Sequence, residues 1–129
     1  MTLHIVRLGT DRKPGEGLRI GTVRRPPRGV PKSEYSSRNY YDTWLPNLSP
    51  SPELMKEGKS VQNDAEWSVF TRKYQKEMNQ SETSKIIDLL AALSQQTNIS
   101  IGCYCENENR CHRIVLKEIL RERGADICD

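Results

Sequence analysis

Ile99-Ser-Ile-Gly-Cys103-Tyr-Cys105-Glu-Asn-Glu-Asn-Arg110-Cys111-His112-Arg113-Ile-Val-Leu116 is the stretch whose reading decides the fold. Ile99, Ile101, Cys103 and Cys105 alternate with the residues between them, so they share one face of a strand over 99–105. A polar loop follows, and a helix opens at or beside Cys111. Val115, Leu116, Ile119 and Leu120 recur at helical spacing on its inner side, and Gly124 is the expected terminator. A strand that hands over to a helix belongs to an α/β sheet, whose ligands collect at the carboxyl ends of strands.

Upstream of this stretch the periodicity is helical. Asn63 with Glu66 three residues on is a helix-capping pair, and Trp67, Phe70, Tyr74 and Met78 form one apolar stripe behind it. Ser81 or Thr83 starts the next helix, with Ile86, Ile87, Leu89, Leu90 and Leu93 as its buried side, and Asn98 ends it. A shorter helix starts near Ser51, with Pro52 in its first position and Glu53 in its first turn.

Nearer the N-terminus, Leu3–Leu8 and Leu18–Val23 read as strands. The link between them, residues 10–17, is too short for an ordinary parallel crossover. The two strands are therefore antiparallel neighbours or are separated within the sheet. Residues 24–51 carry prolines at a density that excludes helix interior and central strand, while Tyr35, Tyr40, Tyr41 and Trp44 argue against disorder. The expectation is one α/β domain over residues 1–129. It has three layers, a small mostly parallel sheet with helices packed on it, a long ordered Pro/Arg-rich loop, and a frayed end at Cys128 and Asp129.

Composition excludes some classes of function. No apolar run approaches the ~20 residues of a membrane helix, and the first residues lack the pattern of a secretory signal. A cytoplasmic setting with reduced thiols follows as an expectation. The net charge of +3 hides an uneven distribution. Residues 1–50 hold nine Lys/Arg against four Asp/Glu, and residues 51–129 hold eleven against thirteen. A basic, irregular first half attracts anions, although so small a surplus also serves solubility alone.

Three of the four cysteines fall between positions 103 and 111. At a helix start the exposed N–H groups and the dipole favour an anion and stabilise a thiolate, which makes Cys111 the candidate nucleophile or redox thiol. His112 adds an acid/base or orienting group, and Arg113 a bidentate anion donor. Arg24, Arg25 and Arg28 follow the second strand, where an α/β sheet places ligand contacts. If that strand runs parallel to the one at 99–105, they reach the same edge as Cys111-His112-Arg113.

Each of these residues has a plainer reading. Cys103 and Cys105 serve equally well as small buried hydrophobes, Cys111 as a packing residue, His112 as a cap, and the arginines as partners of Asp42 or Glu53. Zinc held by Cys103, Cys105, Cys111 and His112 is a further reading. Its spacing is not a usual one, and adjacent residues on a helix splay by about 100°. The phosphatase pattern of cysteine, five residues, arginine fails, because that register from Cys105 lands on Cys111. No zinc finger, helix-turn-helix or single-strand-binding signature is present.

The chain resembles the YeaO-like family, domain of unknown function 488. The likeness rests on Val23-Arg24-Arg25-Pro26-Pro27-Arg28-Gly29, on Trp44-Leu45 leading to Leu48-Ser-Pro-Ser51, on Trp67-x-x-Phe70-x-x-x-Tyr74-x-x-Glu77-Met78, and on Cys103 with Cys111-His112-Arg113. It implies an α/β fold and a site where the arginine turn meets the Cys-His-Arg helix start, and it names no reaction. The sequence departs from the family pattern in one place. Relatives read Cys-x-Glu after the strand, whereas Cys105 stands here, with Glu106 one position later.

Two functional expectations result. One is a site for a phosphate- or carboxylate-bearing small molecule or nucleotide, with thiol chemistry at Cys111 and His112. The other is a non-catalytic module that binds nucleic acid or protein through residues 24–46.

Overall fold

A computed structural model describes residues 1–105 and 110–128. Glu106, the carboxylate displaced from the family pattern, and Asp129 fall outside the described residues. The strands are β1 (Leu3–Arg7), β2 (Leu18–Gly21), β3 (Thr43–Trp44) and β4 (Ile99–Cys103). The helices are α1 (Pro52–Lys59), α2 (Asp64–Met78), α3 (Ser81–Ser94) and α4 (His112–Glu122). The fold is α/β, with every pairing parallel and the order β1-β4-β2-β3.

This order resolves the two options left by the short link after β1. β1 and β2 are parallel and stand on either side of β4, which enters the sheet last. Leu3 and Leu18 both pair with Ile99, and Ile5 and Ile20 both pair with Ile101. β4 is buried at all five positions, as a strand flanked on both edges requires.

One core joins the sheet to all four helices. Leu3, Ile20, Ile99 and Ile101 meet Leu54 of α1, Phe70 and Tyr74 of α2, Ile87 and Leu90 of α3, and Leu116 and Leu120 of α4. Burying each such side chain contributes about 1.5–3 kcal/mol. Helices therefore cover one face only. On the other face the third layer is loop: Arg19 lies fully buried under residues 10–16 and 39, and Ser100 Oγ donates to the Glu16 carbonyl at 2.8 Å.

Local rules explain the helix ends. The Ser51 side chain accepts from Leu54 N, the Asn63 side chain accepts from Glu66 N, and Gly124 closes α4 at φ +92°. α3 differs from expectation. Ile87, Leu90 and Ala91 are buried, but Leu89 is 58% exposed and Leu93 38%, because the helix carries more leucines than its inner face accommodates. The tail also differs. Ile127 bridges to Leu3, and Cys128 N donates to the Leu3 carbonyl at 2.9 Å, so backbone pairing ties residue 128 to β1 rather than leaving it frayed.

Candidate functional site

The parallel sheet aligns the ends of β2 and β4, so residues 22–25 and 103–105 emerge at the same edge. α4 starts against that edge. Its N-cap, Cys111, has an extended backbone (φ −121°, ψ 145°) rather than a helical one. The splay between adjacent helical residues therefore does not apply, and Cys111 and His112 turn toward the same point. Cys111 Sγ lies 2.7 Å from Cys103 Sγ and 3.9 Å from His112 Nδ1. The ligand atoms of Cys103, Cys111 and His112 all fall within 4.8 Å of one another, and all three residues are buried.

His112 is fixed from two sides. Its Nε2 lies 2.8 Å from the Thr22 carbonyl, which can only accept, so Nε2 carries the proton and Nδ1 presents a lone pair to the sulfurs. Tyr74 packs against the ring at 5.7 Å, nearly edge-on, while its own hydroxyl donates to the Leu48 carbonyl at 2.6 Å. Trp67, Phe70 and Tyr74 stack in series along α2, so an aromatic stripe that reads as core also ends on the imidazole.

The three thiols influence one another's titration. Thiol donors from Cys103 and Cys111 are the main cause that holds the Cys105 thiol far below its ordinary value, and the charges of His112 and Arg113 assist. Cys103, as a donor to Cys105, is pushed up to about 11. Cys111, donating to Cys103 and Cys105 and largely desolvated, is also pushed up. The sequence placed the reactive thiolate at Cys111. In the structure Cys105 is exposed, while Cys103 and Cys111 are buried. Burial, the largest influence on His112, lowers its pKa and keeps the imidazole neutral.

A cavity of about 430 Å³ opens over the cluster. Cys103, Cys105 and His112 line it together with Arg24, Arg25, Lys56 and Lys59, and most of its wall is apolar. Arg24 Nη2 donates to the carbonyls of Ser49 (3.3 Å) and Pro50 (2.9 Å), and its buried Nε has no hydrogen-bond partner among the described residues.

Two of the expected anion donors lie elsewhere. Arg113 is buried and directs Nη1 to the Val6 carbonyl at 3.1 Å, so it supports β1 and does not line the cavity. Arg28 lines a neighbouring recess with Arg25, Pro26, Pro27, Tyr40 and Tyr104. Lys56 and Lys59 went unnoticed in the sequence, although their i, i+3 spacing on a capped helix puts them on one face.

The sequence profile of the active DUF488-N3 subclade matches residues 3–124. The chain belongs to this subclade. The match runs from the first residue of β1 to the glycine that closes α4, so every DUF488-N3 residue described above as part of the site lies inside it. No match was found among curated proteins or among solved structures. No helix among the described residues of this DUF488-N3 chain is long and apolar enough to cross a membrane.

Proposed function

We propose that the chain is a thiol-dependent enzyme acting on a small anionic substrate held in the 430 Å³ cavity. One observation carries this reading. Four cationic side chains from the 24–25 turn and α1 face the same space as the Cys105 sulfur and the His112 imidazole, although the sequence keeps these groups far apart. Arg24 and Arg25, with Lys56 and Lys59, neutralise a phosphate or carboxylate. Cys105 is the sulfur that reaches the substrate. The subclade's description as active supports a catalytic role.

Alkylation tests the reading. Cys105 reacts faster with anionic iodoacetate than neutral iodoacetamide predicts, inorganic phosphate protects it, and Arg25→Ala removes both effects, as read by peptide mass mapping. Charge-blind alkylation without phosphate protection would sink it. A second reading draws on the neighbouring recess, where Arg25 and Arg28 adjoin Tyr40 and Tyr104, whose rings meet edge-on at 6.3 Å. Arginines beside aromatic faces suit stacked bases of single-stranded nucleic acid. Binding of a labelled oligonucleotide that weakens steeply with salt and is lost in Tyr40→Ala supports this reading, and salt-insensitive binding removes it.

A further inference from the structure

We infer that Cys103 Sγ, Cys111 Sγ and His112 Nδ1 form a zinc site with a fourth coordination position open toward the cavity. The inference stands apart from the anion reading, because it uses the buried side of the cluster and none of the basic residues.

The geometry supplies three ligand atoms within 4.8 Å of one another, from two elements that the core holds in place. The imidazole is already in the ligating tautomer. Nε2–H is committed to the Thr22 carbonyl, and metal-binding histidines characteristically anchor their second nitrogen in this way. Cys103 and Cys111 are free thiols.

Zinc–sulfur bonds of about 2.3 Å at a tetrahedral angle separate two sulfurs by roughly 3.8 Å. The 2.7 Å between Cys103 and Cys111 therefore opens by about an ångström on loading, a side-chain adjustment at the N-cap. The 3.9 Å from Cys111 Sγ to His112 Nδ1 needs little change.

Charge also fits. Two thiols lose their protons to solvent as the ion enters, and Zn²⁺ with two thiolates and a neutral imidazole is uncharged, which suits a buried position. Cys105 interacts with the Cys103 and Cys111 thiols but falls outside the set of ligand atoms within 4.8 Å of one another, and it lies exposed at the cavity. Two cysteines and one histidine with an open position is a known arrangement for catalytic zinc.

The test is elemental analysis of the full chain, purified with reductant from zinc-supplemented medium, together with titration of the metal-free protein by Co²⁺. The expected results are about one zinc per chain and a tetrahedral cobalt spectrum with a sulfur charge-transfer band. Cys111→Ser and His112→Ala each weaken binding by on the order of 100-fold, and Cys105→Ser keeps the metal. If a ligand variant fails to fold, release of zinc from the wild type by a thiol-blocking reagent takes its place.

A folded, metal-free protein that gives no cobalt spectrum overturns the site. So does a peptide map in which Cys103 and Cys111 are joined, and loss of zinc in Cys105→Ser overturns the three-ligand assignment. Failure here is distinguishable from failure of the anion reading. Metal-free protein with phosphate-protected Cys105 sinks only the zinc, whereas zinc retained without such protection sinks only the anion pocket.

Discussion

Glu16 and Arg19 meet on the loop-covered side of the sheet, where neither can reach bulk water. The Arg19 side chain is fully buried and donates Nε to the Glu16 carboxylate at 2.8 Å, with further bonds to the Thr10 and Asn39 carbonyls. Burial, the largest influence on Glu16, would raise its pKa. Hydrogen bonds from Arg19 and the Lys13 N–H, with the Arg19 charge, outweigh it and hold the carboxyl below its ordinary value of 4.5. Asp42, gripped by Arg12 at 2.9 Å through both oxygens and by the Arg19 N–H, is likewise held low against its burial. Carboxylates with depressed folded-state pKa values stabilise the fold above their unfolded values, and that contribution is lost as pH falls through the folded ones. Stability to urea is therefore expected to fall as pH drops below 4.5, and more gently in Glu16→Gln. That variant also unfolds about 3 kcal/mol more easily at pH 7, because it strands a buried guanidinium. Equal urea midpoints at pH 7 would contradict this account. The pair was not legible in the sequence, since an acid three residues before an arginine in a Gly-rich loop reads as solvated surface. Cys111 and His112 were legible as a pair, but which sulfur faces the cavity depends on the N-cap backbone, which spacing does not specify.

Among the elements, α2 was the most readable, because its cap and its apolar stripe obey one period. Asn63 both accepts from Glu66 N and donates to the Glu66 carboxylate at 2.9 Å. Asn63→Ala is expected to destabilise the fold by about 1 kcal/mol, measured as a lowered thermal midpoint with unchanged helical circular dichroism. β3 was unreadable. Its two residues, Thr43 and Trp44, are exposed, and they pair with β2 because Leu45 N donates to the Gly21 carbonyl and Trp44 Nε1 to the Val23 carbonyl at 2.7 Å. Tertiary contact makes that strand, and no local pattern announces it. Gly21 shows the same dependence on distant residues. A Cβ there would meet the Tyr41 ring at 2.4 Å, so Gly21→Ala must displace the tyrosine. We expect a loss of about 1–3 kcal/mol, and a wild-type melting temperature in that variant would refute the close approach.

At the scale of the whole molecule, the strand that enters the sheet last is also its centre. β4 is fully buried between β1 and β2, so its amides exchange with deuterium only on global unfolding. Amides of α1, a short helix with Leu54 as its one buried residue, exchange faster. Comparable protection in the two would contradict this hierarchy. The α/β class was legible because strand-to-helix succession is local. That helices cover one face and loops the other was not, since it depends on where residues 10–17 and 35–42 settle. The tail-to-head bridge between Ile127 and Leu3 lies at the starting edge of β1, whereas Cys103, paired with Arg7, closes the opposite edge. A bead tethered beside Leu3 or Ile127 therefore leaves the thiol rim unobstructed.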